Sequence, residues 1–354
     1  MGTWPTELTL SLAPRCRFEA IDVNSRIARA SGDVLARYRR AVYCSLHTTA
    51  GYLDQSLSAR IHGQDGVSLF FRAFHALFPQ GGEYRHDQME LRTELTDEQK
   101  AVEPRNADSH LTFIGAGLRN CVTYRSRPGA PVYFIELDGL NEDVRRRRTT
   151  TVLAYNEEHV VARATVNIPV SKHPVDSINL ADPRLGVLDA ANELTAKSGI
   201  QYGRVDLVID PSERNVALTV NEYETLLMQH DLAEVLRDPL RFATIKARNA
   251  FQDPLAVPGK TLSYATFDVV RVLNSLMEAL RLDQSSFERL IAKLMSVPAS
   301  RFLRSRRVSF LAAPDASNGS TRLVRGTYQS PIMVQWQPAE CQARKVEIVL
   351  SQLS

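Results

Sequence analysis

The chain has 354 residues, 44% of them hydrophobic, with 43 Lys and Arg against 40 Asp and Glu for a formal net charge of +3 at pH 7. That length predicts two domains, each with a core of its own, and the near-balanced charge gives no electrostatic case for a nucleic-acid binder. No apolar run long enough to span a bilayer and no secretory leader pattern is present, so no membrane partner and a cytoplasmic location are expected.

Glu7–Leu12 alternates polar and apolar residues, as a half-buried strand does. Residues 23–39 have helical spacing around Ile27, Val34, Leu35 and Tyr38. The run Ala41-Val42-Tyr43-Cys44-Ser45 reads as a buried strand, and it delivers Leu46-His47-Thr48-Thr49-Ala50-Gly51 at its end. Gly66–Phe78 reads as a helix that stops at Pro79-Gln80-Gly81-Gly82. Residues 88–108 are polar and suit a surface loop or short helix, and Leu111–Leu118 suits a helix. Pro131–Leu137 and Thr149–Tyr155 are rich in β-formers.

The order then starts again. Val160–Val170 has a strand pattern, Leu185–Lys197 a helix pattern, Gly203–Ile209 a strand pattern and Leu226–Leu236 a helix pattern. Strands at Ile332–Trp336 and Lys345–Leu350 follow. At one constant offset Val42 falls on Val208, His47 on Glu213 and Asp65 on Asp231, which points to an internal repeat. The predicted domains are 1–156 and 157–354, the second carrying a helical insertion around 237–300. The four cysteines, Cys16, Cys44, Cys121 and Cys341, form no C-x-x-C pair, which suits a reducing compartment and argues against a thiolate zinc site.

Three histidines stand in structured contexts: His47 at a strand end, His86 in Tyr84-Arg85-His86-Asp87 and His110 in Asp108-Ser109-His110-Leu111. Spacing alone does not join them, and each can equally be an ordinary hydrogen-bonded residue at an element's end. Glu136 and Asp138 flank Leu137 and share one face of a strand, which fits a site edge or an exposed strand end. In the Arg145–Arg148 run alternate side chains face opposite ways, so at most two share a surface. One face is read as a phosphate or carboxylate contact.

These motifs resemble the YjbQ family, also called UPF0047 and associated with secondary thiamine-phosphate synthase activity. The first half matches it at His47-Thr48-Thr49-Ala50, Tyr84-Arg85-His86-Asp87, Ser109-His110-Leu111, Glu136-Leu137-Asp138-Gly139 and the arginine run. It departs at Gln55-Ser56, where the family has Asn-Glu, and at Arg127-Pro128-Gly129-Ala130, where it has Gly-Thr-Trp-Gln. The second half supplies both, as Asn221-Glu222 and Gly326-Thr327-Tyr328-Gln329, but places Glu213 and Arg301 at histidine positions.

The resemblance implies an α+β fold of two tandem, diverged YjbQ-like domains, each a mostly antiparallel sheet or sandwich with flanking helices. It implies a divalent metal, zinc first, on His47, His86 and His110, since three imidazoles with an open position are a catalytic arrangement. It further implies catalytic roles for Glu222, Asn221 and Glu136, with Glu222 as general base or else an exposed strand-end carboxylate. Substrate contacts are expected from Thr48, Thr49, Arg145, Arg147 and Gln329. Asp87 and Asp108 orient ligand imidazoles or cap turns. The expected function is metal-dependent chemistry on a small phosphorylated or carboxylated metabolite, in a site of the first domain completed by the second. The alternative is a non-catalytic metal- or ligand-binding protein. Family members form trimers, so a trimeric or pseudo-hexameric homo-oligomer is expected, with three chains supplying six domains.

Overall fold

The computed structural model describes residues 4–61, 63–127, 129–141, 144–238, 241–242, 245–246, 303, 305–315 and 319–354. The expected insertion around 237–300 and Arg301 lie almost wholly outside these residues. The chain divides into two units. The first is Met1–Gln55, Leu118–Glu222 and Arg304–Ser354; the second is Ser56–Gly117 and Tyr223–Leu303. Each unit therefore draws on segments from before and after residue 156.

The first unit is built of antiparallel strands: β1 (Thr6–Leu12), β2 (Glu19–Asp22), β3 (Arg40–Ser45), β4 (Ala50–Tyr52), β5 (Cys121–Arg125), β6 (Tyr133–Glu136), β7 (Leu140–Asn141), β8 (Val144–Arg145) and β9 (Arg148–Tyr155). After these come β10 (Glu158–Pro169), β11 (Asp176–Asn179), β12 (Gly203–Ile209), β13 (Val216–Asn221), β14 (Arg307–Pro314), β15 (Thr321–Val324), β16 (Ser330–Gln335) and β17 (Ala343–Leu353). Strands before residue 156 form the sheets β1-β9-β3-β5 and β2-β6-β4, with the small hairpin β7-β8; strands after it form β10-β17-β12-β14-β15 and β11-β16-β13. The two sets follow the same order. The fold class is α+β, as expected.

Layering explains the sequence patterns. One face of β3 (Ala41, Tyr43) packs into a core with Val122, Tyr124, Val152 and Phe134. The other (Val42, Cys44) packs with Cys121, Leu153 and Tyr155 against Leu311, Ala313 and Leu353. A strand covered on both faces reads as a continuous apolar run. The edge strand β1 is covered on one face only and alternates. Over the first core lies the helix Val23–Ser31, which buries Val23 and Ile27, is capped by Asp22 accepting from Ser25 N, and ends at Gly32. This helix is shorter than the 23–39 span expected, because Gly32 breaks it and a single 3-10 turn, Val34–Arg37, follows. Around β12 the helix Val187–Ser198 takes the matching place.

The second unit carries the helices Gly63–Leu77, Asp97–Val102, Ala107–Gly115 and Leu232–Arg237. Ala107–Gly115 has every residue from Ala107 to Ile114 buried. Asp108, Ser109, His110 and Thr112 are thereby carried into the interior, where polar groups require partners.

Candidate functional site

In the first unit the expected site residues gather at the end of β3. Arg148, first residue of β9, is buried and grips Glu136 with two nitrogens, Nε to Oε2 at 2.5 Å and Nη2 to Oε1 at 2.8 Å. The same Nη2 reaches Thr49 Oγ1 at 3.0 Å and the Asp138 carbonyl at 3.3 Å. Asp138 in turn meets Arg146 Nη2 at 3.0 Å and Arg17 Nη1 at 3.4 Å. The Arg148, Arg146 and Arg17 guanidiniums are thus tied to the Glu136 and Asp138 carboxylates.

His47 stands beside them. Its Nε2 accepts the Thr149 N–H at 2.8 Å. The lone pair is therefore on Nε2 and the ring proton on Nδ1. Burial and then the Arg148 and Arg146 cations push its pKa down to about 4, so the ring is neutral at pH 7. What it offers at Nδ1 is an N–H, and no described residue accepts it.

Two residues from far along the chain hold this loop. Gln329 is fully buried; its Nε2 donates to the carbonyls of Ser45 and His47, 2.9 Å each, while its Oε1 accepts from Gly326 N at 3.1 Å. Gly326 lies so close to Leu46 that a Cβ would sit 1.9 Å from the Leu46 carbonyl oxygen; only glycine fits. Asn221, also fully buried, donates to Thr48 O at 3.2 Å and accepts from Glu222 N at 2.8 Å.

Gln329 and Asn221 therefore position the loop through their side-chain amides. Glu136 is fully buried, burial holds its carboxyl above the ordinary value in spite of Arg148, and its oxygens are taken by Arg148 and by Asp138 N. It anchors the guanidinium. Of the arginine run, Arg145 and Arg147 are exposed, Arg146 is half-buried and Arg148 is buried, so the inward pair is Arg146 and Arg148. The strand phase restarts at Arg148 after the break at Arg146-Arg147, and a one-residue shift exchanges faces.

The second unit holds His86 and His110, both 1% exposed, with ring centroids 5.4 Å apart at 74°. His86 Nδ1 lies 3.0 Å from Glu224 Oε2 and Nε2 lies 3.3 Å from Asn106 Oδ1. Burial pushes the imidazole pKa down, but the Glu224 hydrogen bond and the Asp87 charge outweigh it and the net shift is upward. Arg92 Nη1, 3.3 Å from Nδ1, opposes that rise. Burial pushes Glu224 up, and His86 with the N–H groups of Leu226 and Leu227 brings it below its ordinary value. The backbone N–H groups of Arg85 and His86 donate to Asp231, and Ala107 N donates to Asp87 Oδ1 at 3.1 Å. Asp87 thus tethers the helix start at Ala107. Glu224 and Arg92 had no local sequence signal, Asn221-Glu222 being the nearest to Glu224, whereas Asp231 stood out as the repeat counterpart of Asp65.

No family model and no curated protein matches the chain. Solved structures do. A YbjQ-like protein of unknown function from Sulfolobus solfataricus P2 is 14% identical, with a TM-score of 0.30 over 55% of this chain and 99% of that one. A hypothetical protein from Aeropyrum pernix K1 is 15% identical, with a TM-score of 0.27 over 53% of this chain and 96% of that one. An uncharacterized conserved protein of the YjbQ/UPF0047 family from Clostridium acetobutylicum is 13% identical, with a TM-score of 0.26 over 52% of this chain and 97% of that one. This chain is similar to YjbQ/UPF0047 proteins over about half its length. No described helix is long and apolar enough to cross a membrane.

A metal ligand needs a nitrogen with an available lone pair. The proton of His47 is on Nδ1 and its Nε2 is taken by Thr149; both nitrogens of His86 face oxygen acceptors. Among the described residues no group of three or more His, Cys, Asp or Glu side chains is placed to hold an ion.

Proposed function

We propose that the chain binds a small phosphorylated or carboxylated metabolite at the His47–Arg148 corner of the first unit and acts on it as an enzyme. One observation carries this reading: two donors, His47 Nδ1–H and Arg148 Nη1, meet no acceptor among the described residues. An oxyanion satisfies both, and charge-assisted bonds of this kind are the strong ones. Glu222 follows Asn221, whose amide holds Thr48, and serves as general base. The motif resemblance supports a transferase, of which thiamine-phosphate synthase is the nearest example. The test is turnover and ligand binding by Glu222→Gln against His47→Ala. The reading requires Glu222→Gln to bind and not turn over, and His47→Ala to bind weakly; binding untouched by His47→Ala refutes it.

A zinc centre on His47, His86 and His110 is the competing proposal, favoured by the close approach of the His86 and His110 rings. Elemental analysis of the wild type and the three alanine variants decides it: the centre requires an ion in the wild type that each variant loses. Cytoplasmic residence and assembly into trimers or pseudo-hexamers remain part of this proposal, the latter tested by light scattering.

A further inference from the structure

Sheet register sets residues of the first unit into correspondence. In β2–β6 Glu19 faces Glu136, and in β11–β16 Asp176 faces Gln335. In β1–β9 Leu12 faces Arg148, and in β10–β17 Ile168 faces Arg344. Ala50 pairs with Glu136 and Val216 with Gln335, so His47 and Glu213 stand equally far before their strands. The hydrogen bonds repeat as well. Arg148 donates from Nη2 to the Asp138 carbonyl at 3.3 Å, and Arg344 from Nη2 to the Gln337 carbonyl at 2.7 Å. Nε goes to the strand side chain in both, Glu136 at 2.5 Å and Gln335 at 3.3 Å.

The corners differ in where the negative charge stands. Arg344 is 4% exposed and its strand partner, Gln335, is neutral. A buried guanidinium requires a counter-charge, and Glu213 provides it: Oε2 is 3.0 Å from Arg344 Nη1, and Oε1 accepts from Lys345 N at 2.9 Å. At the first corner Glu136 already neutralises Arg148, and the place of Glu213 is held by His47. The Arg148 nitrogen equivalent to the one that Glu213 takes, Nη1, faces no carboxylate among the described residues.

We propose that the Arg344 corner is a latent anion site, filled from within by the Glu213 carboxylate at the position that is open to a phosphate or carboxylate beside Arg148. The assignment of the first corner rests on the proposed function; the latency of the second is tested separately. Glu213 is only partly buried, 15% exposed, so its removal opens a path to Arg344.

The probe is radiolabelled inorganic phosphate in equilibrium dialysis against the full chain. The wild type, Glu213→Ala, Glu213→Gln and Glu213→Ala with Arg344→Met are compared, with circular dichroism confirming folding. Glu213→Gln keeps an oxygen for Lys345 N and serves where the alanine variant unfolds. The expected result is a doubling of bound phosphate on loss of the Glu213 charge, reversed by Arg344→Met. Folded Glu213 variants that bind no more than the wild type overturn the proposal, as does a gain that survives Arg344→Met. A wild type that binds nothing, beside Glu213 variants that bind phosphate through Arg344, upholds the latent site and sinks the reading of the His47 corner.

Discussion

The side-chain amide of Gln329 donates to the backbone carbonyl of His47 across 282 residues of sequence, at 2.9 Å. Its second bond, to the Ser45 carbonyl, fixes the Ser45–Leu46 peptide beside the His47–Thr48 one. Gln329→Leu takes the donor from the buried Ser45 carbonyl and the part-buried His47 carbonyl, and a buried unsatisfied group costs about 1–3 kcal/mol. Urea denaturation is expected to show that loss. Gly326→Ala is expected to be the more severe, because the clash with Leu46 O is against backbone; an alanine variant as stable as the wild type would contradict this packing.

Arg148 and Glu136 form a buried pair, 9% and 0% exposed in their side chains. Removing either partner alone strands the other, at about 3–5 kcal/mol. Arg148→Met with Glu136→Leu is expected to recover most of that loss while abolishing anion binding. A double-mutant cycle in urea reads the coupling; additive single losses would show that the pair is not an interacting unit.

His47 sets an acid limit on the first unit. Its folded pKa, about 4, lies below the ordinary 6.5. Its contribution to stability is therefore whole above pH 6.5 and is lost as pH falls towards 4. His47→Gln is expected to flatten that limb and leave the stability above pH 7 nearly unchanged, as followed by denaturation midpoints across pH.

The second unit has a limit of each sign. The His86 pKa is raised above 6.5, so its stabilisation is present below that value and is lost as pH rises through the folded one. The Glu224 pKa is lowered below 4.5, so its stabilisation is present above that value and is lost as pH falls. Hydrogen-exchange protection around residues 86–110, relative to the intrinsic rate at each pH, is expected to reach a maximum between about pH 4.5 and 6.5. Glu224→Gln removes the maximum; a maximum that persists in that variant assigns it elsewhere.

The strands that face two cores were the legible part. β3 shows a continuous apolar run from Ala41 to Cys44, and β9 one from Val152 to Tyr155, because both faces are covered there, and β12 was placed to the residue. β5 was missed because Cys121–Arg125 is short and ends in a charged residue. β14 was missed, since Arg306 and Arg307 mask the apolar run that begins at Val308. Phase was the limit at Arg145–Arg148: period-two reasoning holds inside a strand and fails across the break before β9. The gathering of His47, Thr48, Thr49, Asn221 and Gln329 was suggested by complementary motifs in the two halves. The pairing of His86 with Glu224 was not, because hydrogen bonds between distant segments leave no periodic trace.

The reach of Gln329 also fixes when the corner can form. His47, Thr48 and Thr49 are synthesised well before Asn221 and Gln329, yet their backbone is tied by those two residues, and β9 with its Arg148 pairs back to β1. Contacts of such sequence separation form late, after loop closure has been offset by other packing. A nascent chain halted before Gly326 carries the histidine and both threonines but not the peptide geometry that aims them, so the corner takes shape only once Gly326 and Gln329 are in place.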